Sequence, residues 1–269
     1  MTYSRKPMSA TNRELVDRDR MKFHVRDVRV GARLFRVISP RPGLSIRVAT
    51  NYFHNTWHIV CDGNGWRLMS RVFASLSIEK VPNTLFWIGP ELMDPAPFDQ
   101  EPSWPVIIVP STVTHVGKDD IKQLVTKLSR YPHPGRTIRW SAPKVDPDVP
   151  IWDTEYLKKP RYVHTDLEGG AVTIRAEASA LRELSRHICP DLGASIKTTH
   201  SYIDDAQGMR WVSHWQMDGE VQYYRHFGMM SRESAGLRKQ ILDQNPALKG
   251  DALVRKIHDS RIRWSLRYP

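Results

Sequence analysis

Met209-Arg-Trp-Val-Ser-His-Trp-Gln-Met217 alternates as a half-buried strand does. Trp211, Trp215 and Met217 fall on one side of an extended chain, and Arg210, His214 and Gln216 on the other. The next run, Val221-Gln-Tyr-Tyr-Arg-His-Phe227, places Val221, Tyr223 and Phe227 together, and Asp218-Gly219 between the runs signals a hairpin. A three-residue turn pairs Met217 with Val221 and keeps the apolar faces aligned. A two-residue turn would turn one strand over. An earlier strand ending near Asp204 joins through Asp205-Ala-Gln-Gly208. In that register the polar face carries His200, Tyr202, Arg210, His214, Gln216, Gln222, Tyr224 and His226. Tyrosines and arginine on a sheet suit base stacking and phosphate contact. Three histidines suit acid–base chemistry. A solvated sheet face has the same composition.

Beyond Gly228 the period becomes helical. Ser231 is a candidate cap for a helix reaching Gln244, with Leu237, Ile241 and Leu242 inward. Asn245-Pro246 breaks the chain, and Asp251 can cap a last helix running to about Trp264. Leu253, Ile257 and Trp264 mark one face of it, and Lys256, Ser260, Arg263 and Arg267 another. In outline the pair resembles a helix-turn-helix. Arg255, Asp259 and Arg263 also form i,i+4 ion pairs of the kind found on any solvated helix.

Charge is unevenly distributed. The chain of 269 residues carries a net charge of +11. Residues 1–50 contain 12 Lys/Arg against 4 Asp/Glu, residues 229–269 contain 9 against 4, and the middle is close to neutral. Basic ends favour a polyanionic partner, because every phosphate neutralised releases counterions. Apolar content of 40% with nine tryptophans excludes a disordered chain. No apolar run approaches the ~20 residues of a membrane span, and the first residues lack the apolar core of a secretory signal. Two cysteines, Cys61 and Cys189, are too few for a disulfide framework. A cytoplasmic protein without a membrane anchor is expected.

Upstream, Phe23–Val30 and Leu34–Ile38 read as strands with Arg26, Arg29, Arg33 and Arg36 projecting outward as one basic face. Leu44–Val48 and Asn51–Cys61 also read as strand. His54 and His58 have a helical metal-ligand spacing, but on a strand they stand about 13 Å apart, too far for one ion. Asp62-Gly-Asn-Gly65 reads as a hairpin turn onto Trp66–Ser70, and its glycines match no phosphate loop. Thr84–Ile88 and Trp104–Val109 are apolar strands. Lys118–Leu128 and Glu177–Ile188 are amphipathic helices, and Ala171–Arg175 is a strand.

The expected architecture is α+β with mixed and antiparallel sheets and a basic C-terminal helix pair. A β-rich domain with one helix spans 1–140, a proline-punctuated linker 141–160, and an α+β domain 161–269. The leading functional expectation is nucleic-acid binding, to DNA or RNA. Arg26, Arg29, Arg33, Arg36, Lys256, Arg263 and Arg267 would contact phosphate, and Tyr202, Tyr224 and Arg210 bases. The alternatives are a histidine-dependent nuclease or other phosphoester hydrolase, using His200, His214 and His226 without metal, and a protein–protein interaction or assembly subunit. No cofactor or metal motif is present.

Overall fold

Strand β1 (Lys22–Val30) changes its buried face half-way along. Phe23 and Val25 are buried on one side of it, whereas Val28 and Val30 pack on the other. Side chains of a strand alternate between faces, so the shift from odd to even apolar positions means that its two halves are covered from opposite sides. Strand β2 (Arg33–Pro40) follows after a turn in which Gly31 takes φ 57°, and pairs antiparallel with β1, Val25 opposite Ile38 and Val28 opposite Phe35. It repeats the shift, with Phe35 and Val37 on the second side and Ile38 on the first.

The computed structural model describes residues 22–53, 56–97, 101–130, 135–140, 161–188, 200–202, 215–218, 221–224 and 227–265. After β2 come β3 (Val48–Phe53), β4 (Thr56–Cys61), α1 (Gly63–Ser77), β5 (Thr84–Ile88), a short 3-10 turn (Pro90–Leu92), β6 (Val106–Pro110), α2 (Lys118–Arg130) and β7 (Arg136–Arg139). The second half adds β8 (Arg161–Glu168), β9 (Ala171–Ala176), α3 (Ala178–His187), β10 (His200–Tyr202), β11 (Trp215–Asp218), β12 (Val221–Tyr224), α4 (Phe227–Gln244) and α5 (Asp251–Ser265). The chain is α+β. One sheet has eight strands in the order β11-β8-β9-β6-β5-β2-β1-β7, the other four in the order β10-β12-β4-β3, and both mix parallel and antiparallel pairs.

Every residue of β5 and β6 is buried, as continuous apolar runs require when a strand is covered on both faces. On one face, Ile121, Leu124 and Leu128 of α2 meet Phe35, Val37, Leu85, Trp87, Ile107 and Val109. On the other, Phe86, Ile88, Ile108 and Ile174 join α1 and α3 through Trp66, Val72, Phe73, Leu181 and Leu184. The small sheet adds Val48, Trp57, Ile59 and Cys61 to that second core, and turns Ala49 and Val60 toward Phe227 and Met230 of α4. Helices α4 and α5 pack together through Ile241, Leu253 and Ile257.

Four expectations change. Asp62-Gly-Asn-Gly65 opens helix α1 and does not close a hairpin: Asp62 caps it, Oδ1 accepting from the Gly65 N–H at 2.8 Å and the Arg47 N–H at 3.2 Å. Gly65 is needed for contact, since a Cβ there would sit 2.9 Å from the Arg47 carbonyl oxygen. The hairpin pairing Met217 with Val221 does not form. β11 runs parallel to β8 with Met217 beside Val163, and β12 runs parallel to β4 with Val221 beside Trp57. Alternation marks both runs as strands, yet strands distant in sequence are their partners. Helix α4 starts at Phe227, ahead of Ser231, because Phe227 and Met230 are buried against the small sheet. Finally, the short strand expected at Leu44–Val48 does not form there: one strand runs from Val48 to Phe53, and the run Asn51–Cys61 is divided between it and Thr56–Cys61. The expected boundary at 141–160 lies outside the described residues. Strands from either side of it share both sheets, β6 with β9 and β4 with β12.

Burial raises the Asp62 carboxyl pKa, with Asp94 adding to the rise and the Gly65 and Arg47 N–H groups and the Arg47 charge opposing it. A carboxyl whose folded pKa is raised contributes most in acid, and that contribution is lost as pH rises through the raised value. Asp62→Asn keeps the cap without the charge. It is expected to be at least as stable as the native chain at neutral pH, with a flatter acid-range profile, whereas Asp62→Ala should cost about 1 kcal/mol; urea unfolding across a pH series measures both. Phe86, fully buried and in ring contact with Phe23 and Trp140, should cost about 3–5 kcal/mol when truncated to alanine.

Candidate functional site

The half of β1 that α2 does not pack against carries Lys22, His24 and Arg26 at the even positions, where Val28 and Val30 continue toward the helix. Strand β7 lies antiparallel beside it, Lys22 opposite Arg139 and His24 opposite Thr137. On the other flank Ser39 is opposite His24, and Arg41 follows Pro40, the partner of Phe23. Arg41, Lys22 and Arg139 therefore come to neighbouring ends of three adjacent strands, which in a sheet stand about 4.8 Å apart. Lys22 and Arg41 are half-buried and Arg139 is exposed. Gly135 makes the approach of β7 possible. It takes φ 70°, and a Cβ there would collide with the Val25 carbonyl oxygen.

The electrostatics agree with this crowding. Burial, then the charges of Arg41 and Arg26, holds the His24 pKa below its ordinary value. Burial also lowers that of Arg26, against the attraction of Glu91 in the 3-10 turn. The Nδ1 of His24 is buried and accepts no hydrogen bond among the described residues. Lys22, His24, Arg26, Arg41 and Arg139 thus gather at one corner of the sheet, with the Glu91 carboxylate acting on Arg26. Arg136 and Arg139 also occupy the edge strand of the large sheet among the described residues, where charge discourages pairing with another chain.

The four arginines expected to form one basic face are divided between two. Arg26 and Arg33 belong to the α2 side, Arg29 and Arg36 to the other, as their opposite residues Val37, Val30, Leu34 and Asp27 require. Two of them are structural. Arg33 donates to Asp120 at 3.1 Å, to Asn83 at 2.9 Å and to the His115 carbonyl, and its guanidinium covers the Phe35 ring. Arg36 pairs with Glu79 at 3.3 Å, and the same carboxylate accepts from the Trp140 indole at 3.1 Å. Arg29 is exposed.

The expected polar platform is likewise divided. His200 is in register with Tyr224, and Tyr202 with Gln222, within the small sheet. Gln222 is beside the buried His58, while Gln216 belongs to the large sheet. Arg210, His214, His226 and Arg267 lie outside the described residues, as do His54 and Cys189. Lys256 is exposed on α5, and Arg263 occupies its last turn. Lys22, Arg41, Arg136 and Arg139 were missed in the sequence. The pattern Arg-Thr-Ile-Arg was the one available signal, and nothing local says that it pairs with a strand more than a hundred residues earlier.

No helix among the described residues is long and apolar enough to cross a membrane. Comparison of the chain with protein families, with characterised proteins and with solved structures gives no match.

His24 is expected to titrate below an ordinary histidine in an NMR pH series, and Arg41→Ala should move it upward. Because the folded-state value is the lower one, stability linked to neutral His24 is present above the unfolded value and is lost as pH falls through the folded one.

Proposed function

We propose that this protein binds nucleic acid, with Lys22, Arg41 and Arg139 as its principal phosphate contact. The observation that carries this reading is the convergence of those three cations, from the ends of three adjacent strands, beside a histidine whose proton is disfavoured by burial and then by Arg41 and Arg26. Such a row suits a ligand with repeated negative charge better than one with a single anionic group. The net charge of +11 supports it, and so do Arg255 and Lys256, exposed on α5, where the C-terminal helix pair would offer a second contact. Arg26 lines the corner. Arg33 and Arg36 serve the fold, and Arg29 faces away from it. The buried free thiol of Cys61 fits a reducing cytoplasm.

Fluorescence anisotropy with single- and double-stranded DNA and RNA across a salt series tests the reading. The native chain should bind with a steep negative slope of log affinity against log salt. The triple variant Lys22→Ala/Arg41→Ala/Arg139→Ala should lose at least about tenfold in affinity and about two to three units of slope, roughly one for each contact removed. A variant with a native melting curve and unchanged binding would remove this corner from the function. A parallel Lys256→Ala/Arg263→Ala/Arg267→Ala variant measures the helix pair separately.

A further inference from the structure

The same face of the large sheet carries a second chemical cluster, six strands across from the basic corner when both end strands are counted. His164, Asp166 and Glu168 occupy alternate positions of β8, on the side of the sheet that Ala171 of β9 shares with α2. One ligand atom from each lies within 4.8 Å of the other two. We propose that these residues form a site for a divalent transition-metal ion, Zn²⁺ or Mn²⁺ by the chemistry of the donors.

The cluster differs from a patch of surface acids in its donor set and its setting. One imidazole nitrogen and two carboxylate oxygens supply three protein ligands, which suits these ions and leaves positions open to solvent or substrate. Mg²⁺ and Ca²⁺ favour oxygen donors alone. Glu168 is buried, its side chain 1% exposed, and Arg175 of β9 donates to it. That guanidinium also reaches the Val116 carbonyl at 3.5 Å, so Glu168 is held in orientation from behind, the usual arrangement of a metal ligand and its outer partner. Gly169, in the β8–β9 turn, sits so close to the Lys122 backbone that a Cβ would stand 2.5 Å from the Lys122 Cα. The end of β8 is thereby fixed against α2.

Charge leaves room for an ion. Two carboxylates face two cations, Arg175 and Lys118, whose ammonium lies 3.3 Å from Asp166. Arg175 is enclosed, but the Lys118 side chain is 74% exposed and its partner Asp166 42%. An exposed lysine–carboxylate pair contributes little, so Lys118 can swing into water and yield its place. The cluster then keeps one net negative charge and an opening toward solvent at Asp166. Lys118 is the resident competitor of the metal.

Titration calorimetry with Zn²⁺ and electron paramagnetic resonance with Mn²⁺, on the full chain at neutral pH and low salt, test the site. One ion per chain is expected, with His164→Ala weakening binding by roughly tenfold or more. Lys118→Ala removes the competing ammonium and should bind several-fold tighter, so it guards against a native affinity too weak to measure. Absence of one-to-one binding in both the native chain and Lys118→Ala would overturn the proposal. So would binding that a folded His164→Ala leaves unchanged. Neither result bears on nucleic-acid binding, which rests on other residues.

Discussion

The large sheet is covered on both faces, but each helix layer covers only part of its breadth and length, and the rest of the structure follows from that constraint. α2 crosses one face from β8, where Gly169 lies against Lys122, to β1, where the Lys127 ammonium donates to the Arg29 carbonyl. Beneath it stand Val28, Val30, Phe35 and Val37; where it ends, Lys22, His24 and Arg26 take over the same positions of the strand. On the opposite face the order is reversed, with Phe23 and Val25 in the core and Asp27 and Arg29 exposed. A strand composed in this way cannot slip by two residues without burying charge on one face and exposing valine on the other. The composition that ends the helix cover also creates the basic corner, and α2 separates that corner from the His164 cluster.

The local parts of this fold could be read from sequence, and the distant ones could not. Helices α2 and α3 declared themselves through Ile121, Leu124 and Leu128 and through Leu181, Leu184 and Ile188, because helical periodicity is written within a dozen residues. Helix α1 was hidden. Its first turn is Gly63-Asn64-Gly65, residues that ordinarily mark turns, and what makes them helical is the Asp62 cap together with the tight approach of the Arg47 backbone. Alternation in Trp215–Asp218 and Val221–Tyr224 identified two strands but assigned them to each other. Faces follow from the period of two, whereas partners depend on where the chain returns, and parallel pairing leaves no turn to mark it.

The candidate site divides along the same line. Arg26 was found because it sits in a strand rich in arginine. Its companions Arg41 and Arg139 are separated from it by a turn and by most of the N-terminal half. The arginines at 33 and 36 looked equivalent to it in sequence and are spent on Asp120 and Glu79. Counting cations along a strand measures how much charge is present, while the pairing register decides which of it is gathered. The His164 cluster shows the converse. Its three donors stand two residues apart on a strand, Arg161–Glu168, that the sequence reading did not find, and only the fold brings Arg175 and Lys118 to them and makes the group chemically distinct.

The division of β11 and β12 between two sheets has a consequence for how the chain is made. β4 waits for β12, and β6 waits for β9, so an N-terminal half leaving the ribosome presents apolar strands with unsatisfied edges until the C-terminal half arrives. Pairings of such sequence separation close late, because the loop entropy is lost before the contacts form. Synthesis thus leaves an interval in which sticky edges are open to neighbouring chains. The rate of translation across the second half, and the chaperones that meet the first, bear on yield as directly as the stability of the finished fold.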